Sequence, residues 1–322
     1  MQGLSDTGHH QELMMANPNF PENLSISPSQ HPQTILTAPV TAADPYVSHF
    51  AFDASAQAAA IEKYGIAGRV WEAAYLLTLY FNAPPSHAFD PPFDPHGASQ
   101  LTVVELGSGT GIVGLKLAER LARTGTDSSN LVVLTDLPEV CPLLQENLQQ
   151  HAALTERDVW VRALPWGSRA HADTLAEELG LRADPPSEAR PRYPTHIVCS
   201  DLVYFPELLA PLLRTLLHLT SPPFVPVSAS SLPSPPEVIV SYKIRSLAKE
   251  TAFWSAFGLW FTFTPVLTSP SASTSPDLSW KRFGASVDAF ILIAHRRPES
   301  MRWPVPEDDA GLLGGVGAHG MS

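Results

Sequence analysis

Short apolar segments alternate with segments of helical spacing along the middle of the chain, and this alternation constrains the fold more than any other feature. Five segments of strand type are each followed by a helical one: LTVVEL at 101–106, LVVLTD at 131–136, VWVRAL at 159–164, HIVCSD at 196–201 and EVIVSYK at 237–243. Repeated alternation of this kind requires right-handed crossovers and gives a parallel sheet with helices packed on its faces.

Two more strand-type segments follow the fifth strand and its helix. They are LWFTFTPV at 259–266 and VDAFILIAH at 287–295, joined by a Ser/Pro-rich loop at 268–277. Two strands that follow each other closely most simply form an antiparallel hairpin. We therefore predict an α/β fold with a doubly wound, mostly parallel seven-stranded sheet that ends in a C-terminal antiparallel hairpin.

Hydrophobic periodicity places the helices and one further strand. The predicted helices cover 69–81, 111–123, Pro138 to about Gln150, 169–179, 206–219 and 247–257. A short alternating stretch at 46–53 indicates an edge strand or a hairpin arm before the first helix.

Prolines mark the connections. Of the 32 prolines, 21 fall in four windows, at 18–45, 84–95, 185–194 and 222–236. Proline lacks a backbone donor and fixes φ, so these windows are excluded from helix interiors and central strands. Because residues 1–45 are also rich in Ser, Asn and Gln, we predict a disordered leader there, a single domain over 46–298 and a flexible C-terminal tail over 299–322.

Charge and composition exclude several classes of partner. The net charge of −12 disfavours broad docking on nucleic-acid phosphates or an anionic membrane. The sequence has no apolar run of 18 residues, and its first basic residue is Lys63, which argues against a secretory or transit signal. Its only cysteines, Cys141 and Cys199, form no disulfide framework. We expect a cytoplasmic protein, with the nucleus as the alternative compartment, and no metal site, since the twelve histidines are scattered.

A glycine-rich turn follows the first predicted strand. The glycines Gly109, Gly111 and Gly114 form a GxGxxG pattern, which occurs in both dinucleotide-binding and methyl-donor-binding folds. The acid Glu105 directly before the turn suits a ligand with an ammonium group and would repel a pyrophosphate. The next acid at a strand end, Asp136, lies 29 residues after Gly107, longer than the spacing of about 20 typical of dinucleotide folds. The TGTDSSN insert accounts for that longer gap, so the acid before the turn is the stronger reason to favour S-adenosylmethionine over a nucleotide or a structural turn.

Five motifs, in order, carry a resemblance to a known family. They are VWEAAYLLTLYF, VVELGSGTGIVGL, VVLTDLPEVCPLLQENL, LPWG and DLVY. The chain resembles, over roughly Gly68 to His295, the seven-strand protein-lysine methyltransferases of the methyltransferase-like 21 group. The resemblance implies a Rossmann-like class I methyltransferase fold, with S-adenosyl-L-methionine as cofactor. The chain departs from the family in its long leader, its proline-rich loops, the 268–277 insertion and Ser200, where relatives often have alanine.

The resemblance also implies the residues that bind the cofactor. Glycine-loop residues would lie against its methionine and ribose, Asp136 would take both ribose hydroxyls, Trp71 would cover it and Trp166 would stack near the adenine. The implied cofactor-binding set is Trp71, Glu105, Gly107, Ser108, Gly109, Asp136, Trp166 and Ser200. On periodicity alone Trp71 is a core residue, and Trp166 before Gly167 is as well explained as a loop anchor.

Two residues of the DLVY motif would face the incoming nucleophile. Asp201 and Tyr204 are the candidate catalytic residues, with Asp201 expected to hold and orient a lysine amine. The simpler alternatives are that Asp201 caps the following helix and that Tyr204 packs in the core. Lys243 and Arg245, after the fifth strand, are interpreted as a solvated edge, with contact to an acidic partner as the alternative.

The predicted function is methyl transfer from S-adenosylmethionine to a lysine of a cytoplasmic protein, such as a translation elongation factor or a chaperone. The partner is then a protein substrate presenting a lysine, and the enzyme is expected to be a monomer. Three alternatives stay open at the level of sequence: a small-molecule methyltransferase, a catalytically inactive cofactor-binding interaction module, and a nicotinamide-dependent oxidoreductase.

Overall fold

Seven strands form one sheet at the centre of the molecule, with helices on both of its faces. The structure is a computed structural model, and it describes residues 19–21, 24–30, 52–94, 100–123, 130–182, 191–226, 235–270 and 280–314. The strands are β1 (His87–Asp90), β2 (Thr102–Leu106), β3 (Leu131–Asp136), β4 (Val159–Ala163), β5 (His196–Ser200), β6 (Glu237–Lys243), β7 (Phe261–Pro265), β8 (Leu267–Pro270), β9 (Lys281–Arg282) and β10 (Ala289–Arg296).

Eight helices accompany these strands in the described residues. They are α1 (Ala54–Tyr64), α2 (Glu72–Phe81), α3 (Ile112–Arg123), α4 (Cys141–Gln149), α5 (Arg169–Glu178), α6 (Pro206–Leu219), α7 (Leu247–Trp260) and α8 (Asp309–Leu313). A 3-10 turn at Gly65–Gly68 joins α1 to the segment before α2.

The strand order of the main sheet is β4-β3-β2-β5-β6-β10-β7. Neighbours are parallel from β4 through to β6, and β10 runs antiparallel to both β6 and β7. This confirms the predicted mostly parallel sheet and its C-terminal antiparallel pair. The last strand inserts between the fifth and the sixth, which leaves β7 and its Pro265 at the sheet edge, where proline is tolerated.

The central strands are buried on both faces, so their residues are apolar almost without interruption. In β2, Val104 and Leu106 face a core formed with helices α5 to α8, whereas Val103 faces a second core formed with α2 and α3. The helices therefore cover both faces of the sheet, as a doubly wound fold requires.

Several predicted boundaries differ from the structure. Helix α2 begins at Glu72, so Trp71 is its N-cap residue and lies before its first turn. Helix α4 begins at Cys141 and uses Pro142 in its first turn, whereas Pro138 lies in the preceding loop. Helix α7 continues to Trp260, into residues predicted as strand, because an apolar Leu-Trp pair suits either structure.

Helix α1 and the three strands of a small second sheet were not predicted. Helix α1 is capped by Asp53, whose carboxylate accepts the backbone N–H of Ala56 at 2.8 Å. It buries only Gln57 and Tyr64, so it lacks the periodic apolar face that identifies most helices. A small sheet of order β1-β8-β9 lies beside α2, with β1 inside the second proline window and β8 reaching into the predicted 268–277 loop. The edge strand or hairpin arm predicted at 46–53 lies outside the described residues, apart from residues 52 and 53, which are not in a strand.

Parts of the predicted leader and tail pack against the domain. Asn19 and Ser29 of the leader are buried, which differs from the expected disorder across 1–45. At the other end, Leu312 of α8 is fully buried, and Arg214 of α6 bonds Asp309 at 3.0 Å. The described chain is therefore packed beyond the predicted end of the domain at 298.

Candidate active site

A cavity of about 330 Å³ opens at the carboxyl ends of the parallel strands. It lies where the strand order reverses beside β2, the usual ligand position in open α/β sheets. Its volume falls at the lower end of the roughly 300–1,000 Å³ typical of small-molecule sites. The residues of the predicted site that line it are Trp71, Glu105, Gly107, Ser108, Gly109, Asp136, Trp166, Ser200, Asp201 and Tyr204. The structure thus brings every predicted site residue to one cavity.

The glycine loop after β2 forms the floor of this cavity. Gly107 has φ +55°, and a Cβ there would lie 2.8 Å from the Trp166 ring and 2.9 Å from Leu202. Gly109 has φ +54° and would place a Cβ 3.0 Å from the carbonyl oxygen of Ala67. Only glycine adopts this backbone without strain while keeping the loop this close to its neighbours.

Ser108 ties the same loop to β3. Its backbone N–H donates to the Thr135 carbonyl at 2.9 Å, and its Oγ accepts the Thr135 N–H at 3.1 Å. The Thr135 hydroxyl donates to the Glu105 carbonyl at 2.7 Å. These bonds hold the loop in a fixed shape against the sheet.

Glu105 ends the buried run of β2 and is only 2% exposed. Its Oε2 accepts the Gly114 N–H in the first turn of α3 at 3.0 Å, and burial raises its pKa to about 8. A Cβ on Gly114 would lie 2.5 Å from this oxygen, which explains the glycine there. Among the described residues, no cation pairs with this carboxylate.

Asp136 sits at the end of β3, across the loop from Glu105. Its Oδ2 accepts the Gly109 N–H at 2.7 Å, and its Oδ1 accepts the Leu137 N–H at 2.8 Å. Burial raises its pKa to about 6. A carboxylate has about four lone-pair sites, so each oxygen can still accept a ligand hydroxyl.

Trp71 forms a wall of the cavity just before α2. Its indole N–H donates to the Ile66 carbonyl at 3.1 Å. The guanidinium carbons of Arg69 and Arg245 lie 4.3 and 5.2 Å from its ring centroid, so the ring is held by two cation–π contacts.

Asp201 follows β5 in a left-handed backbone conformation, with φ +64°. Its carboxylate accepts from both terminal nitrogens of Arg245, at 2.6 and 2.5 Å, and its side chain has no exposed surface. The structure therefore differs from the expectation that this carboxylate is open to a substrate amine. It also corrects the interpretation of Arg245 as a solvated residue.

Tyr204 and Trp166 both line the cavity, and the Trp166 ring lies next to Gly107 of the glycine loop. Their ring centroids are 6.3 Å apart with an edge-on arrangement, and Tyr204 also packs edge-on against Phe205 at 4.8 Å. Burial raises the pKa of the Tyr204 phenol above its ordinary value, so it stays neutral at physiological pH. This side of the cavity is aromatic and carries a neutral hydroxyl.

Ser200 is the last residue of β5. Its Oγ is buried and, within the described part of the structure, has no hydrogen-bond partner. Buried polar groups are nearly always paired, so an orphaned hydroxyl on the wall of a cavity points to a ligand as its partner.

Sequence reasoning missed three contributors to this site. Arg245 lies 44 residues after its partner Asp201, a contact that no local pattern reveals. Asn19 and Leu24 of the leader line the cavity, although their segment resembles disordered sequence in composition. Asp136 and Glu105 were found because both stand at ends of clearly apolar strands.

The family comparison agrees with this geometry. A family model described as "Lysine methyltransferase" matches residues 55–257. The chain belongs to this lysine methyltransferase family. It is accordingly a methyltransferase that uses S-adenosylmethionine.

Curated relatives of this lysine methyltransferase are about 30% identical to it over an aligned region of roughly half of the chain. The protein-lysine N-methyltransferase EFM6 of Saccharomyces cerevisiae is 30% identical over 59% of this chain and 68% of its own length. EEF1A lysine methyltransferase 3 of Mus musculus is 32% identical over 50% of this chain and 53% of its own. The protein N-lysine methyltransferase METTL21A of Xenopus tropicalis is 27% identical over 53% and 63%. The match thus spans about half to two thirds of these relatives.

The cavity of this lysine methyltransferase fits the cofactor by its own chemistry. Glu105, a buried acid with no cation partner in the described part of the chain, suits an ammonium group, and Asp136 offers acceptor oxygens to a pair of hydroxyls. Any side chain at Gly107 would fill the space beside Trp166 and Leu202. The Ser200 hydroxyl, which has no partner among the described residues, is one that a ligand would satisfy.

The described ranges contain neither a metal centre nor a membrane-spanning helix. No group of His, Cys, Asp or Glu side chains there is arranged to hold a metal ion. None of the helices described is long and apolar enough to cross a membrane.

Proposed function

We propose that this protein transfers a methyl group from S-adenosylmethionine to a lysine of a translation elongation factor. The observation that supports it most is the division of one cavity into two ends. At the glycine-loop end the acids Glu105 and Asp136 have no cation partner among the described residues. At the other end Asp201 is neutralised by Arg245 and the walls are aromatic.

The glycine-loop end is proposed to bind the cofactor. Glu105 would pair with its ammonium group, Asp136 would accept its ribose hydroxyls, and Gly107, Ser108 and Gly109 would lie against it. Trp166 and Trp71 would flank the adenine and cover the methionine side. When bound, the cofactor supplies a sulfonium methyl group, an electrophile that needs alignment more than covalent help.

The aromatic end is proposed to receive the lysine. The long alkyl stem of lysine packs well against aromatic walls, here Trp71, Tyr204 and Phe205. A lysine amine attacks only when neutral, and a free carboxylate would instead stabilise its ammonium form. Because Arg245 already neutralises Asp201, this end of the cavity favours the neutral amine.

Roles for the two DLVY residues follow from their contacts. Tyr204 is proposed to touch the amine through its neutral hydroxyl and orient the nitrogen lone pair towards the methyl carbon. Asp201 is proposed to act through Arg245, holding Trp71 and the loop after β5 in place. In the reaction the lysine ammonium would first lose one proton to solvent. Its neutral nitrogen would then bond to the methyl carbon as the carbon–sulfur bond breaks, and the product would be a methylated ammonium.

The proposed substrate follows from the relatives. Proteins named EEF1A lysine methyltransferase 3 match this chain in two vertebrates. A net charge of −12 suits a basic, lysine-bearing partner. We therefore propose EEF1A as the first substrate to test.

The test is methyl transfer with labelled S-adenosylmethionine. The full chain is incubated with recombinant EEF1A and, separately, with a cell lysate, and the labelled lysine is located by mass spectrometry. We expect one labelled lysine in EEF1A. Tyr204→Phe should lower kcat about tenfold, since a lost hydrogen bond to the reacting nitrogen is worth about 1 to 1.5 kcal/mol.

Other outcomes would overturn the proposal in distinct ways. Label in a different lysate protein would refute EEF1A, and label only in small molecules would favour a small-molecule methyltransferase. Cofactor binding without any transfer would indicate an inactive binding module. A fluorescence titration in which NADH binds and S-adenosylmethionine does not would favour an oxidoreductase.

A further inference from the structure

The leader crosses the mouth of the cavity in two described stretches, 19–21 and 24–30. Asn19 and Leu24 both line the cavity, Asn19 beside the turn that faces the glycine loop. Leu24 is 43% exposed, which is unusual for a large apolar side chain at a cavity wall. We call residues 19–21 and 24–30 the strap.

One end of the strap is fixed to the Gly65–Gly68 turn. The carbonyl oxygen of Asn19 accepts the Ile66 N–H at 2.8 Å. Gly65 has φ +59°, and a Cβ there would lie only 1.7 Å from that same oxygen. Position 65 therefore accommodates the strap only because it is glycine.

The other end is fixed by a buried glutamine. Gln57 is 1% exposed, and its Oε1 accepts the Ser29 N–H at 3.0 Å while its Nε2 donates to the Ser29 carbonyl at 3.2 Å. Ser29 Oγ also lies 2.9 Å from the Tyr75 hydroxyl. A buried amide is costly unless bonded on both sides, so this residue is matched to the strap.

The strap is also linked to both ends of the cavity. Ile66 bonds Asn19 through its N–H and Trp71 through its carbonyl oxygen, and the next residue, Ala67, faces Gly109 of the glycine loop. Arg69, which stacks on Trp71, donates to the Ser27 carbonyl at 2.9 Å. The strap therefore reaches from the glycine-loop end to the Trp71 wall.

We propose that the strap is part of the cofactor site and that Leu24 contacts the bound cofactor. The inference rests on the assignment of the cavity to S-adenosylmethionine. Covering the exposed part of Leu24 with the cofactor removes apolar surface from water, which favours binding. A segment with the composition of a disordered region thereby forms part of the wall of the cofactor site.

The first test measures the dissociation constant of S-adenosylmethionine by calorimetry on full-length variants. Leu24→Ala should raise the dissociation constant about fivefold, as expected for losing part of one leucine contact. The matched control is Leu247→Ala, which trims an equally large side chain that is 63% exposed on α7 and outside the cavity. The control should bind as the wild type does.

A second pair of variants moves the strap through a change at a residue that does not itself line the cavity. Gly65→Ala should raise the dissociation constant about twentyfold, because the new Cβ collides with Asn19 and displaces the strap contacts. Gly180→Ala is the control, since Gly180 also has positive φ (+72°) but its Cβ would meet only Pro191, at an ordinary 3.6 Å. It suffers the same backbone strain and should bind the cofactor normally.

Hydrogen exchange supplies a readout independent of mutation. Bound cofactor should slow amide exchange in peptides covering 24–30 of the wild-type protein. Three results would overturn the proposal: unchanged exchange, a normal dissociation constant in both strap variants, or a rise only in the KM for the protein substrate. If wild type itself does not bind S-adenosylmethionine, the cofactor assignment fails rather than the strap.

Discussion

The two ends of the cavity hold their carboxylates in opposite ways. Among the described residues Glu105 and Asp136 accept backbone N–H groups and pair with no cation, and burial raises their pKa values to about 8 and about 6. The Asp201 carboxylate accepts hydrogen bonds from both terminal nitrogens of Arg245. Buried acids without a cation are costly to ionise and gain from a cationic or hydroxyl-bearing ligand, whereas a paired acid is already satisfied. The contrast supports the proposal that Glu105 and Asp136 bind the ligand and that Asp201 has a structural role.

The largest effect expected from this contrast is on stability at the paired end. Arg245→Ala leaves the Asp201 carboxylate buried without its partner, and we expect the free energy of unfolding to fall by about 3 kcal/mol. Urea denaturation at pH 7 measures it. Asp201→Asn in the same chain should recover part of the loss, because the uncompensated charge is removed.

The control for this variant is Lys243→Ala. Lys243 lies 4.0 Å from Glu72 and is partly exposed, so its loss should change the free energy of unfolding by less than about 0.5 kcal/mol. If Arg245→Ala proves as mild as this control, Asp201 is not held by an essential ion pair. The carboxylate would then be free to bind substrate, and the contrast between the two ends would break.

How far sequence predicts the site depends on whether the contact is local. The glycine loop, Glu105 and Asp136 were predictable, because each lies at the end of an apolar strand and the strand ends meet at one edge. The Asp201–Arg245 pair was not, since it depends on a left-handed backbone at Asp201 and on two loops brought together by β5 and β6. An ion pair between two loops produces no periodic pattern in the sequence, so sequence reasoning does not detect it.

The elements of the fold divide in the same way into those that local sequence patterns predict and those that they do not. All seven strands of the main sheet were predicted within about two residues, the five parallel ones because buried parallel strands are continuous apolar runs. Helix α1 and the small sheet were missed, since α1 has few buried residues and β1 lies among prolines. The strap was missed because its order comes from Gln57 and Gly65, which lie outside it.

The second effect is the pH dependence of cofactor affinity at the glycine-loop end of the cavity, where Glu105 lies. In the free protein Glu105 is largely protonated below its raised pKa of about 8, and pairing with the cofactor's ammonium requires the ionised form. Binding must therefore release a proton, so affinity should rise with pH by up to about tenfold per unit between pH 6.5 and 8. Calorimetry across that range, in buffers of different ionisation enthalpy, measures both affinity and proton release.

The matched variant for this effect is Glu105→Gln. It should bind S-adenosylmethionine about 100-fold more weakly at pH 8 and show no pH slope, because it lacks the ionisable partner. Of the neighbouring groups, Asp136 titrates lower, at about 6, and burial raises the pKa of Cys199, which therefore stays neutral. A wild-type affinity that is flat with pH would show that Glu105 does not meet the ammonium group.

The smallest effect extends the contrast to neutral groups, using two serines that lie opposite each other on neighbouring strands. Ser200 of β5 pairs in register with Ser241 of β6. The Ser200 hydroxyl has no partner in the described structure, whereas Ser241 Oγ donates to the Ala73 carbonyl at 2.7 Å.

Ser200→Ala should weaken cofactor affinity about fivefold and leave stability unchanged, since one hydrogen bond to a ligand is worth about 1 kcal/mol. Ser241→Ala should do the reverse, costing about 1 kcal/mol of stability with normal affinity. Thermal unfolding and calorimetry on both variants decide it: if the two behave alike, an unpartnered buried group in this cavity does not mark where the ligand binds.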